Sequence, residues 1–358
     1  MEEPCRAVLG PGEFAMSSKK KKVEEDLEKD AEIDLLRRQI RGLQRQVRTS
    51  AGATALVMRA VEEAIQPYES PKSLPKPKAS RQSKSETVVL HVSDWQIGSL
   101  TDEFDSSVAQ RRVTDLISKV SKIVEQRSRA AALRECVLLV GGDMVDGSSL
   151  RASQSWEVDS TAMEQALNTC PDLIADLVRA LTGIFPVVSV ECVRGNHGRI
   201  GPTKGNADPK SVNWDTVASE TARLKLGELV DGKRIKWHTE VESFYRVVPA
   251  NGVNILFLHG DQFRGSGGFA GLPAYSIAKK MARWADSIPE EWGIMLMGHY
   301  HNPTMMTMGS RQVYINGTLK SGGEWELEEL AMATRPAQRL LVVDKSRGVI
   351  ADQVIWLN

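Results

Sequence analysis

A chain of 358 residues, 41% hydrophobic and 26% charged, has enough apolar material for one large core and a smaller appendage. Its 46 basic and 46 acidic residues cancel, so no overall basicity marks a nucleic-acid partner. No apolar run nears the roughly eighteen residues that a bilayer span requires, and the opening residues lack the order of a secretion signal, so the expectation is a cytoplasmic protein with no membrane partner.

Residues 1–15 show no periodicity and Met16 offers an independent start, so residues 1–22 are expected to be a disordered leader or cloning remnant. Residues 23–66 are rich in Glu, Lys, Arg, Gln, Leu and Ala, which predicts a long helix. Ile33, Leu36, Ile40, Leu43 and Val47 are spaced 3, 4, 3, 4 along it, the seam of a coiled coil. A homo-oligomer built on that seam is favoured, with docking on the chain's own catalytic domain as the alternative. Residues 67–85 form a linker: Pro67, Pro71, Pro75 and Pro77 stand among serines and lysines that neither continue a helix nor build a core. Its Lys72, Lys76, Lys78, Arg81 and Lys84 could meet a phosphate backbone, although solvated charge is the favoured explanation.

The domain of residues 86–358 alternates apolar runs with helical patterns. Runs at 87–92, 136–140, 187–193, 254–259 and 293–297 are expected strands, each ending in a cluster of Gly, Asp, Asn or His. Helices are expected over 107–131 and 160–180, and a closing hairpin over 339–343 and 349–356. The pattern implies an α/β fold whose site lies along one edge of the sheets. Cys136 and Cys192 sit inside apolar runs, and with Cys5 and Cys170 they form no CxxC pair; free thiols and no zinc cluster are expected.

The clusters at the strand ends are Asp94-Trp95-Gln96, Gly142-Asp143-Met144-Val145-Asp146, Gly195-Asn196-His197, His259-Gly260-Asp261 and Gly298-His299-Tyr300-His301. Alone, an aspartate after a strand is ordinarily a cap or turn residue, and a histidine a satisfied polar group. Together they carry four of the six histidines, always after an apolar run. A carboxylate such as Asp143 can bridge two cations because it offers two anionic oxygens, whereas an imidazole cannot. His299 and His301, one residue apart, can serve two centres from a single bend. Glycine before Asp143, Asn196 and His299 permits sharp turns and close backbone approach.

This order resembles the metallophosphoesterase signature D-x-H, G-D-x-x-D, G-N-H, H and G-H-x-H of the calcineurin-like superfamily, over most of residues 86–318. The resemblance implies a four-layer αββα sandwich with a dinuclear metal centre at the sheet edge. It implies that Asp94 and His301 bind the first metal, that Asn196, His259 and His299 bind the second, and that Asp143 bridges both. Two such cations clamp phosphate oxygens and lower the pKa of a bridging water for in-line attack. The family assigns the position of His197 to protonating the leaving oxygen, with Asp146 orienting its ring and raising its pKa. Asp261 is a candidate support for a ligand histidine, and equally a turn aspartate.

Two departures stand out. Gln96 occupies a position where most relatives carry histidine; its carbonyl oxygen is a harder and weaker donor, which favours Mn²⁺ among the divalent ions, with Mg²⁺, Fe²⁺ and Zn²⁺ as alternatives. Arg199 follows the third motif where an acid is common, and its guanidinium suits a substrate phosphate or simple solvation. Arg151, Lys204, Lys210, Arg264 and Lys320 are candidates to line a groove, while Trp156, Trp214 and Trp325 are expected as packing residues rather than base-stacking ones. The motif set is similar in look to the DNA-repair exonuclease and phage-encoded branch, so the expected function is a nuclease-like phosphodiesterase acting on DNA. A phosphomonoesterase acting on nucleotides or phosphoproteins, and a catalytically impaired metal-binding scaffold, are the alternatives.

Overall fold

The computed structural model describes Arg59 and residues 85–148, 156–200, 212–230, 234–263, 271–322 and 335–358. The leader, all but one residue of the expected N-terminal helix, and the linker through residue 84 lie outside the described residues, as do Cys5, Arg151, Lys204, Lys210, Arg264 and Trp325.

The strands form two mixed sheets. The first runs β11(Gly348–Trp356), β10(Ala337–Asp344), β1(Ser85–Val92), β2(Ala132–Val140), β3(Val187–Cys192), β4(Ile235–Thr239). Strands β1 to β4 are mutually parallel, and the closing hairpin β10–β11 adds antiparallel beside β1. The second runs β5(Tyr245–Ala250), β6(Val253–Leu258), β7(Ile294–Met297), β9(Arg311–Ile315), β8(Thr304–Met308), parallel only at β6–β7–β9. Helices α1(Ser106–Arg127), α2(Ala162–Glu164 continuing through Cys170–Ile184), α3(Trp214–Leu226) and α4(Ala274–Ser287) complete the layers.

Side-chain alternation assigns the layers. On β1, Val88, Leu90 and Val92 join a core with α1, α2 and α3, whereas Val89 faces the other way, toward Phe257 and Leu296 of the second sheet. On β6, Ile255 and Phe257 face the first sheet, while Leu256 and Leu258 meet Ile277 and Met281 of α4. The order is therefore helices, sheet, sheet, helix. Strands buried on both faces explain why their sequences are continuous apolar runs.

Local signals set the helix ends. Asp105 caps α1 by accepting from the Val108 amide at 2.7 Å. The helix stops at Arg127, before the expected 131, as its guanidinium docks bidentately on buried Glu86 of β1 at 2.7 and 2.9 Å. Helix α2 contains a π turn at Gln165–Thr169, so the expected single helix over 160–180 is interrupted and extended to Ile184. Strands β4, β5, β8 and β9 and helices α3 and α4 go beyond the sequence expectations. Trp214 packs partly buried against the main core. Trp156, expected to pack, is instead 87% exposed. It begins a short turn tied back through the Glu157 carbonyl to the Leu100 amide, which leaves the ring on the outer side. No described helix is long and apolar enough to cross a membrane.

Candidate metal centre

The C-terminal ends of parallel strands β1, β2, β3, β6 and β7 open on one edge, and the five sequence clusters leave the sheets there. Asp143, His259 and His299 are brought together, with candidate ligand atoms all within 4.8 Å of one another. His259 Nδ1 donates to the Gly141 carbonyl at 2.8 Å, which turns Nε2 inward, 2.9 Å from Asp143 Oδ2. Beside this trio, His301 Nε2 lies 3.4 Å from Asp94 Oδ1 and accepts from the Gln96 amide nitrogen at 3.0 Å. Asp94 also accepts from Ser93 Oγ and from the His299 amide.

The fit to cations rests on buried polar atoms. Gln96 Oε1 and Asn196 Oδ1 are enclosed with no hydrogen-bond partner, an expensive arrangement unless a cation answers them, and His259 Nε2 faces only the Asp143 carboxylate. Their chemistry, with the Asp94 and Asp143 carboxylates and the His299 and His301 imidazoles, is an oxygen and nitrogen donor set for divalent ions.

Backbone geometry at these positions is unusual. Asp94, Gln96, Asp143, His299 and His301 all have positive φ, between 46° and 71°; the other such non-glycine residue described is Asn251, in the β5–β6 turn. Each costs about 1 to 3 kcal/mol, and clustering at one edge is the pattern of a functional site. The turns also need bare backbone opposite them: a Cβ on Gly195 would sit 2.1 Å from Asp143 Oδ1, and one on Gly298 would sit 2.2 Å from Asp94 Oδ2.

His197 follows Asn196 and stands at the rim. Its amide donates to Asp143 Oδ1 at 2.7 Å, and its Nδ1 donates to Asp146 Oδ1 at 3.0 Å. Burial pulls the imidazole pKa down, but the Asp143 charge and the Asp146 hydrogen bond outweigh it and hold the value up at about 9. Asp143 is likewise drawn upward by burial, yet His259 and His197 keep it well below the usual carboxylate range. Arg199 donates to Asp261, so a phosphate contact through this arginine has to share the guanidinium with that carboxylate. Lys320 is buried, and its charge is felt at His197.

Three supporting residues were missed by sequence reasoning. Asp215, near the start of α3, is 1% exposed and accepts four backbone N–H groups: those of Asp143 and Gly195 on Oδ2, and those of Met144 and Val145 on Oδ1, at 2.8 to 3.2 Å. It thereby fuses the loop of the bridging carboxylate to the loop of Asn196. Burial and the nearby Asp143 charge push its pKa up to about 6. Asn213 seconds it, giving Nδ2–H to the Gly195 carbonyl and accepting from the Asp215 amide. Gln165 in the π turn accepts from the Gly147 amide at 2.8 Å, bracing the segment that carries Asp146.

A buried carboxylate and imidazole donor set beside a carboxylate-oriented imidazole defines a metal-dependent phosphoester hydrolase. The family model "Calcineurin-like phosphoesterase" matches residues 87–337, and the chain belongs to that family. Solved structures similar to it include a predicted phosphoesterase from Streptococcus pneumoniae TIGR4, with 13% identity, TM-score 0.28, and 76% of this chain and 98% of that one covered. Another is Vps29 from Entamoeba histolytica complexed with Zn²⁺, with 12% identity, TM-score 0.33, and coverage of 76% and 99%. A third is an archaeal phosphodiesterase, with 10% identity, TM-score 0.33, and coverage of 75% and 99%. No curated protein matches the chain.

Proposed function

We propose that the protein is a DNA-directed phosphodiesterase that works with two divalent cations, Mn²⁺ first among them. The observation that carries the two-cation proposal is the pair of adjoining donor groups, Asp143 with His259 and His299 on one side, and Asp94 with His301 and Gln96 on the other. Asn196 adds its buried Oδ1 to the first group, and Asp143 is the carboxylate proposed to serve both. When bound, the cations supply charge neutralisation for the phosphate and activation of the attacking water.

The chain's own residues do the rest. The His259 tautomer is set by its Nδ1–H donation to Gly141, so Nε2 presents a lone pair. Asp146 fixes the His197 ring through Nδ1 and, with the Asp143 charge, favours its protonated form, ready to give a proton to the leaving oxygen. The DNA assignment draws on the similarity of the motif set to repair nucleases, on the basic composition of residues 67–85, and on the coiled-coil spacing of Ile33, Leu36, Ile40, Leu43 and Val47, since an oligomer formed through it would raise effective concentration on a polymer. A metal-binding scaffold with impaired turnover is the second reading, favoured by the Gln96 amide that donates to His301 Nε2, a candidate ligand atom.

The full chain with Mn²⁺ is to be offered bis-p-nitrophenyl phosphate, p-nitrophenyl phosphate, and labelled single- and double-stranded DNA. DNA and diester cleavage lost in His197→Ala is the expected result. Turnover of the monoester alone would replace the substrate class, and bound metal with no turnover would leave the scaffold.

A further inference from the structure

A cleft of about 330 Å³ opens beside the metal centre, walled by Arg194, Arg199, Glu242, Phe244, Asp261 and Gln262. Two of its walls belong to segments that carry metal-centre residues. Arg194 and Arg199 flank Asn196, and Asp261 and Gln262 follow His259. A substituent on a phosphorus held at Asn196 and His259 therefore has this hollow within reach.

The chemistry of the walls selects what can fill it. The two guanidinium groups are matched by two carboxylates, and Arg199 is already ion-paired with Asp261. A second phosphate would meet as much negative as positive charge and would have to compete with Asp261, so the balance disfavours an anion. Phe244 brings an aromatic ring, braced by Tyr245 at 5.0 Å and Trp284 at 5.4 Å between centroids. Arg194, held by donation to the Val241 carbonyl at 3.1 Å, Gln262 and Glu242 add directional donors and acceptors. A flat face with polar edges is what an uncharged heteroaromatic ring requires. The volume sits near the lower end of ligand pockets, roughly 300 to 1,000 Å³, which suits one nucleoside and no longer fragment.

We propose that this cleft binds the nucleobase of a nucleoside esterified to the scissile phosphate, with Phe244 as its stacking surface. This rests on the phosphodiesterase reading and adds to it a nucleoside subsite with no second phosphate position.

The test compares two diesters that release the same leaving group, thymidine 5′-(p-nitrophenyl phosphate) and methyl p-nitrophenyl phosphate, with the full chain and Mn²⁺. The thymidine ester should show a KM roughly tenfold lower, the worth of one base stack. Phe244→Leu, which keeps an apolar filler, should remove most of that preference, and Phe244→Trp should retain it. Circular dichroism and bound-metal content check that each variant is folded and loaded. Equal KM values in the wild type, or a preference unchanged in Phe244→Leu, would overturn the subsite while leaving phosphodiesterase activity standing. Failure of the wild type to cleave either ester would end the phosphodiesterase reading, and the subsite with it.

Discussion

The His197 imidazole is under opposed influences: burial favours the neutral ring, while the Asp143 charge and the Asp146 hydrogen bond favour the protonated one and win, placing the pKa at about 9. A residue that donates a proton to the leaving oxygen works only while it holds one, so turnover should decline as pH rises. Cations bound at Asp143 offset that raising charge, so the decline is expected below the metal-free value, with the Asp146 hydrogen bond as the remaining support. Asp146→Asn removes one raising influence. Its alkaline decline should begin about one unit lower, with kcat reduced about tenfold or more, as a pH–rate profile would show. An unmoved profile would take Asp146 out of the orienting role. Asp215 calls for a different measurement, because its four accepted N–H bonds fix the loops of Asp143 and Asn196 rather than the substrate. Asp215→Asn puts an N–H₂ group where only acceptors fit. Mn²⁺ affinity by calorimetric titration should fall about 10- to 100-fold, while circular dichroism stays that of a folded chain. Unchanged affinity would reduce Asp215 to packing.

Among the elements, strands closed by a Gly, Asp, Asn or His cluster were legible in the sequence, as was the closing hairpin, whereas the edge strands β4, β5 and β8 and the short interior strand β9 were not. β1, β2, β3, β6 and β7 are apolar runs closed by Gly, Asp, Asn or His, and the closing hairpin is punctuated by Asp344 to Gly348. The same runs located the candidate ligands, since a cluster after each buried strand marks one sheet edge. β4 and β8 are half-buried edge strands whose mixed polarity gives no clean alternation. Asp215 escaped notice because it lies 72 residues beyond Asp143 and looks like an ordinary acid in the first turn of a helix. Gln165 was hidden in the same way inside a helical pattern, since nothing in the sequence announces a π turn. Where a local signal was clear, its energetic share can be measured. Asp105→Ala removes the cap of α1 and should lower unfolding free energy by about 1 kcal/mol in urea titration, with little effect on metal binding.

At the scale of the whole molecule, the two sheets are joined by apolar packing and by polar contacts, among them a buried arginine away from the metal centre. Arg339 of β10 is 1% exposed, holds both oxygens of Asp352 at 2.7 Å, and lies 5.5 Å from the Tyr314 ring centroid of the second sheet. Arg339→Met should cost about 1 to 3 kcal/mol of stability, because Asp352, 29% exposed, is partly rehydrated rather than stranded. A loss below about 0.5 kcal/mol by urea titration would mean that Arg339 adds nothing to the joining of the sheets. The left-handed turns at the sheet edge have a consequence for how cations enter. The Asp94 and Gln96 amides donate to the Gly142 and Asp143 carbonyls at 3.0 Å, and Asp215 clasps the loop after β2, so the ligand-bearing bends are held by the protein's own hydrogen bonds. Ions should therefore drop into a finished socket. Amide hydrogen exchange across 94–97 and 142–146 should already be slow in metal-stripped protein and change less than about tenfold on loading, corresponding to about 1.4 kcal/mol.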